Sequence, residues 1–171
     1  VLLLSLCFTI FTGFAKAQDS IYIYSGNKIV YGTLYNSIDS LTFLPQNYYQ
    51  NIRSNQIIQF MKEKTEMTRF AQMVEISGLK NYLDRATIWV PTSTSLSQVD
   101  LNDTILVTKI VKNHITPGRT SIFELQNTSS VTMLNKKALK IDNSTNSIII
   151  DNFPVTNTLT VANSLICQLN D

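Results

Sequence analysis

The stretch from Ala86 to Gly118 constrains the fold of this chain more than any other. It opens with Ala86-Thr87-Ile88-Trp89-Val90, an apolar run halted by Pro91-Thr92-Ser93. A short apolar run closed by a proline reads as a buried strand followed by a turn. The stretch closes with Ile110-Val111-Lys112-Asn113-His114-Ile115-Thr116-Pro117-Gly118, a helix end that passes into a strand and stops at a Pro-Gly turn. Strand, turn, helix and second strand make one compact folding unit. It holds His114, the single histidine of the 171 residues, yet it reads as architecture and not as a reaction centre.

Composition agrees with a folded chain. With 44% hydrophobic and 15% charged residues and no long Pro/Gly tract, the sequence is that of one main globular domain. A chain of this length buries enough surface to fold without disulfides or metals. The formal charge of +2 gives no basic face for nucleic acid, which needs concentrated Lys and Arg. Lys136, Lys137 and Lys140 form the one tight basic group and read as a solvated hairpin edge.

The first residues read as a targeting segment. Val1 to Phe11 is apolar and uncharged, and Ala15-Lys16-Ala17 is a small-x-small cleavage signal. Crossing a membrane takes about 20 apolar residues, so this run is too short to span one. Without an initiator Met or a basic n-region, the chain is expected to have lost its first residues, and cleavage after Ala17 leaves a mature start at Gln18. Leu6 before Cys7 argues against lipidation there. Cys167 is then the one mature cysteine, so an internal disulfide is not expected.

Residues 18–44 read as a small β-meander. Ile21-Tyr22-Ile23-Tyr24 and Ile29 to Tyr35 flank Ser25-Gly26-Asn27-Lys28 as a hairpin, and Ser40 to Leu44 supplies a third short strand. Three such strands need a partner surface. Residues 45–51 read as a linker. From Ser54 the period turns helical, with Ile57, Phe60 and Met61 on one stripe. A second helix is expected to start at Thr65 as N-cap, to bury Met67, Phe70, Met73, Val74 and Ile76, and to end at Gly78. Asn102 is read as the cap of a third, with Ile105, Leu106 and Ile110 inside. The remainder reads as strands at 122–125, 131–134, 138–141, 147–150, 155–161 and 165–169. Helices first and strands second indicate α+β, with the helices segregated on a largely antiparallel sheet.

In this order the segments are similar to a known family. Phe70 to Leu79, Thr87 to Leu96, Asn113 to Gly118, Met133 to Leu139 and Val161 to Leu169 resemble five successive signatures of the fasciclin (FAS1) domain, over residues 52–171. The resemblance, to a bacterial-type secreted or surface member, implies a β-wedge of short, mostly antiparallel strands flanked by helices. It implies non-catalytic adhesion at the cell surface or outside the cell, or exposed to the periplasm, with a surface protein or glycan as ligand. Trp89, Pro91, Thr92, Asn113, His114, Pro117, Gly118 and Asn163 are the signature residues it nominates for fold or ligand contact. There are departures. Asn113 stands where the family has tyrosine, Ser164 where it has glycine, Cys167 where it has histidine and Asn170 where it has aspartate. An Asp-Ile pair that serves integrin binding in some members falls on Thr158-Leu159, so integrin engagement through it is not expected. The chain ends at Asp171, ahead of the residues that usually complete the closing strand, and the domain is expected to be divergent or cut short there.

The residues offer little chemistry. His114 could move protons near neutral pH, but no Gly-x-Ser-x-Gly elbow accompanies it, and a scaffold histidine is the expectation. Cys167 lies in an apolar strand and behaves as a small apolar residue unless its pKa is lowered. A thiol hydrolase built on Cys167 and His114 is the remaining catalytic reading. One histidine and one mature cysteine cannot build a zinc site, no EF-hand loop is present, and the five glycines form no phosphate loop. No cofactor, metal or catalytic residue is therefore expected. Asn102, Asn127 and Asn143 begin glycosylation sequons. A different role, as the structural subunit of a surface assembly, would use the tyrosine-rich meander for β-edge pairing.

Overall fold

A computed structural model of the protein describes residues 20–25, 28–34, 46–144 and 147–170. They fall into two units, one within residues 1–43 and one within 44–171. In the first, β1 (Ser20–Ser25) and β2 (Lys28–Leu34) pair antiparallel, with Ser20 opposite Leu34 and Ser25 opposite Lys28. That is the hairpin the alternation predicts. The leader at 1–17 and the third meander strand at 40–44 lie outside the described residues.

The second unit is organised by the apolar run β3 (Ala86–Val90), every residue of which is buried. Its neighbours in the sheet are β4 (Ile115–Pro117), antiparallel, and β9 (Ser164–Leu169), parallel. The sheet continues through β8 (Phe153–Val161), β7 (Ile149–Ile150), β6 (Ala138–Asp142) and β5 (Ser130–Thr132). Each of these is antiparallel to the next, giving the order β4-β3-β9-β8-β7-β6-β5. One parallel pair in an otherwise antiparallel sheet fits the α+β expectation.

Alternate residues of a strand face opposite sides, and this divides the interior into two cores. Ala86, Ile88, Val90 and Ile166 face the helices. There they meet Ile57 and Met61 of α1 (Gln46–Lys62), Phe70, Met73 and Val74 of α2 (Thr68–Ser77), and Val107 and Val111 of α3 (Thr104–Lys112). Trp89, Leu165, Cys167 and Leu169 face the other way, onto Leu125, Val131, Met133, Ile141, Ile148 and Ile150. Strands covered on both sides read as unbroken apolar runs, which is why these two stand out in the sequence.

Several expectations are corrected. α1 begins at Gln46, inside the stretch read as a linker. Its first half leaves Tyr48, Tyr49 and Ile52 exposed and so shows no apolar stripe. It is tied down instead by Gln50, whose Nε2 donates to the Asn81 carbonyl (2.7 Å), and by an Arg53–Asp84 ion pair (2.6 Å). The cap of α2 is Met67, without a side-chain bond; Thr65 stands two residues ahead of it, its carbonyl accepting from Ser93 Oγ. Gly78 ends α2 as expected, left-handed at φ 68°, while Ile76 is exposed. The cap of α3 is Asp103, whose Oδ1 accepts from Leu106 N (2.9 Å); Asn102 is committed to Asp100 Oδ1. Val107 and Val111 are the inward pair, Ile110 is half-buried, and Ile105 and Leu106 lie outside. Residues 122–125, read as a strand, belong to α4 (Ile122–Gln126), imposed by a capping box between Ser121 and Glu124. Among the described residues no helix is long and apolar enough to cross a membrane.

Two contacts generate predictions. The buried Ser164 hydroxyl donates to the Leu83 carbonyl (2.5 Å) and accepts from Ala86 N (3.3 Å), closing the 3-10 turn Lys80–Leu83 onto the start of β3. Ser164→Ala strands both main-chain groups and should cost about 1–3 kcal/mol. The measurement is a lower urea midpoint at unchanged m-value. Asp84 is held below the ordinary carboxylate range, first by the Arg53 hydrogen bond, with burial opposing. Its folded pKa is thus below its unfolded one, near 4. The stabilisation is present above that pH and is lost as pH falls through the folded value. Asp84→Asn should lower the urea midpoint at pH 7 and narrow its gap to the parent at pH 3.

Candidate functional site

The nominated residues surround the two ends of β3. At its exit, Pro91 is buried and Thr92 and Ser93 are half-buried. Thr92 Oγ1 accepts from Ser95 N (3.2 Å), while Ser95 Oγ donates to the Thr92 carbonyl (2.9 Å). Ser93 staples this turn to the α1–α2 connection: its N–H donates to the Glu66 carbonyl, and its Oγ donates to Thr65 O and accepts from Arg69 N. The turn is a brace, and Thr94 and Ser95 are its exposed tip.

His114 lies at the same end. Its carbonyl accepts from Trp89 N (2.9 Å), and its ring meets Phe70 edge-on at 5.7 Å between centroids. Nδ1 is 2.8 Å from the Ile110 carbonyl. A carbonyl only accepts, so Nδ1 carries the hydrogen. Asn113 closes α3 through its main-chain N–H and accepts a side-chain hydrogen bond from Asn135 Nδ2. Trp89 itself is buried, with Nε1 donating to Thr116 Oγ1 (3.0 Å), which in turn faces Met133 Sδ (3.3 Å).

The remaining three residues are elsewhere. Ala86 is opposite Pro117, and Thr87 is opposite Leu165. Pro117, Gly118 and Asn163 therefore gather at the entrance of β3, all exposed. Gly118 there has φ 88° and Ala162 φ 50°, a backbone held in the left-handed region. Thr87 Oγ1 pins the turn by accepting from Thr120 N (2.9 Å), and Arg119 reaches toward Thr160 Oγ1 at 3.5 Å. At about 3.3 Å per residue, the five-residue strand keeps the two turn regions roughly 15 Å apart. The signature is therefore two surfaces, not one, with Trp89 and Pro91 inside the protein.

Cys167 and His114 are not brought together as a nucleophile and base. The thiol belongs to the core around Trp89, and the imidazole packs on Phe70 of the helical core. Burial pushes the Cys167 thiol up to about 12, so it is protonated at neutral pH. Among the described residues, no three His, Cys, Asp or Glu side chains are grouped to hold a metal ion. Sequence reasoning missed a feature outside the signature. The outer face of α3 and the turn at Asn135 enclose an open cleft. Its sequence cue was the polar spacing Thr108, Lys109, Lys112 opposite the valines.

A family model for the fasciclin domain matches residues 65–171, well over half of the chain. No curated protein matches. Among solved structures, a FAS1 domain pair from the insect cell adhesion molecule fasciclin I is similar at 15% identity and a TM-score of 0.49. The match covers 63% of this chain and 45% of that one, so this chain spans less than half of that structure's length. The family model settles membership: the chain belongs to the fasciclin family.

Burial of Cys167 has a direct consequence. In the native full chain, the peptide containing Cys167 should resist alkylation at pH 8 by at least a hundredfold relative to the urea-unfolded chain, read by mass spectrometry. Labelling at similar rates would overturn the buried, protonated thiol.

Proposed function

We propose that this fasciclin-family protein is a non-catalytic adhesion or interaction module, exported to the cell surface or extracellular space. It engages a surface protein or glycan through exposed turns. The carrying observation is the division of labour within the signature. Trp89, Pro91 and His114 are spent on internal bonds and packing, whereas Pro117, Gly118 and Asn163 meet on one exposed rim. Loops on a rigid scaffold are where recognition is usually placed, and this rim is held by β3, β4 and β9. Export rests on the apolar run Val1–Phe11 with Ala15-Lys16-Ala17. The interaction domain in this reading begins with α1 and is preceded by the meander at 18–44. Thr158 and Leu159 lie within β8, so no acidic group stands there for an integrin-type contact.

A second reading is supported by the β1–β2 hairpin, a two-stranded sheet in a unit of its own. A paired ribbon of this kind can accept a further strand along an edge, which suits a structural subunit of a surface assembly.

The two readings separate experimentally. Binding of the chain beginning at Gln18 to envelope and matrix material from its own source is measured by biolayer interferometry. The double substitution Arg119→Glu with Asn163→Asp should weaken capture at least tenfold with an unchanged urea midpoint, and deletion of residues 20–44 should leave capture intact. Capture that ignores the rim substitutions overturns the first reading. Loss of assembly in the deletion, with capture retained, favours the second.

A further inference from the structure

The outer face of α3 lies away from both signature turns. Because Val107 and Val111 point into the helical core, Ile105, Thr108, Lys109 and Lys112 form a stripe on the opposite side at helical spacing. With Thr104 and Asn135 they line an open cleft of about 470 Å³. The side-chain hydrogen bond between Asn135 and Asn113 holds the β5–β6 turn against the end of the helix. That turn continues into Lys136, left-handed at φ 71°, and Lys137, both exposed. Folding thus sets the turn that carries these two lysines against the end of the helix that carries Lys109 and Lys112.

None of these four lysines forms an ion pair among the described residues, where the two pairs are Arg53–Asp84 and Lys62–Glu75. The nearest carboxylates along the chain are engaged locally: Asp103, next to Thr104 of the cleft, caps the helix, Asp100 holds Asn102, and Asp142 accepts from Ser144 N. The chain as a whole carries only +2, so the positive charge is a local concentration. Beside it Ile105 is 83% exposed and Leu106 39% exposed. Cationic groups next to an uncovered aliphatic patch describe a docking surface with two requirements.

We propose that this cleft docks an acidic polypeptide segment that carries an aliphatic side chain, with its carboxylates on Lys109 and Lys112 in the cleft and on Lys136 and Lys137 of the adjoining turn, and its aliphatic group on Ile105. The inference rests on the reading of the protein as an interaction module, and it names a second surface and its partner's chemistry. Thr104, Thr108 and Asn135 supply hydroxyl and amide groups for the segment's main chain. A polypeptide fits better than an acidic polysaccharide. Among the described residues none that lines the cleft is aromatic, so they give a sugar ring no face to stack on, and a glycan has no aliphatic side chain to cover Ile105.

The probe is a fluorescein-labelled peptide of alternating Glu and Leu, titrated with the full chain and read by fluorescence anisotropy. A Gln–Leu peptide is the uncharged control and polygalacturonate the polysaccharide competitor. Binding should weaken at least tenfold in K109E/K112E and severalfold in I105S. It should fall as salt rises from about 50 to about 300 mM, where screening shortens the reach of exposed charges. The Gln–Leu peptide and polygalacturonate should not bind, and R119E/N163D should bind the peptide as the parent does. These side chains lie outside both cores, so urea midpoints should match; K109Q/K112Q serves if charge reversal unfolds the chain. No peptide binding, binding indifferent to the lysines, or polygalacturonate binding lost in the same variants would each overturn the proposal. Failure of the peptide with retained rim-dependent capture sinks this inference alone. Peptide binding without rim-dependent capture sinks the rim reading instead.

Discussion

The parallel pairing of β3 with β9 is the constraint on which the second unit depends. Ile88 is opposite Ile166 and Trp89 opposite Cys167, and the two pairs face different cores. A parallel neighbour needs a long crossover connection. Here the chain from Pro91 to Asn163 leaves one edge of the pair, builds α3, β4, α4 and the hairpins, and returns as β9. Helices α1, α2 and α3 cover one face, and α4 with the hairpins of that excursion covers the other. Neither core can close until both strands are in place, so the last segment of the chain completes packing begun by the first helices.

Two-sided burial leaves no water for polar groups, and each polar side chain buried in these strands has a partner. Thr116 stands between Trp89 Nε1 and Met133 Sδ, Thr87 receives Thr120 N, and Ser164 bridges Leu83 and Ala86. Cys167 faces the same core with a thiol that burial keeps neutral. An imidazole in its place would bring two nitrogens needing partners into that core. The departures at Ser164 and Cys167 thus look different once their surroundings are known. The serine supplies bonds to the main chain, and the cysteine supplies volume without polar demand.

How much of this was legible depends on which physical signal each segment carries. β3 and β9 were plain because two-sided burial writes itself as continuous apolar sequence, and the β1–β2 hairpin because alternation does the same for a pleated ribbon. α2 was legible from Phe70, Met73, Val74 and its terminal Gly78. The misreadings fall where burial is slight. The first half of α1 is held by polar contacts to Asn81 and Asp84 across more than a full helix of sequence, so no local pattern announces it. α4 buries Leu125 alone and leaves Phe123 74% exposed. Its apolar letters suggested a strand, whereas the spacing Ser121-x-x-Glu124 was the better guide. In α3 the neighbouring Asn102 and Asp103 compete for the cap, and the Asn102 side chain is spent on Asp100 Oδ1 while the Asp103 carboxylate is left to accept from Leu106 N; the choice of inward face followed from packing against α2.

The site was less legible than the fold because a signature records what a scaffold needs. Its eight residues lie along one strand and its two flanks, and the register sends three of them to one end and leaves the rest at or near the other. Sequence adjacency within each motif cannot show that separation, since it is set by β3 pairing with β4 and β9. The same logic applies to the lysines. Lys136 and Lys137 alone are an ordinary solvated turn, and Lys109 and Lys112 alone an ordinary helix face. The turn and the helix end are brought together by the main-chain bond from Leu134 N to the Ile115 carbonyl and by the Asn113–Asn135 hydrogen bond, the latter made by the residue that stands in place of the family's tyrosine. A departure from the signature, which the sequence shows only as a substitution, is in the folded protein one of the contacts that set this turn against α3.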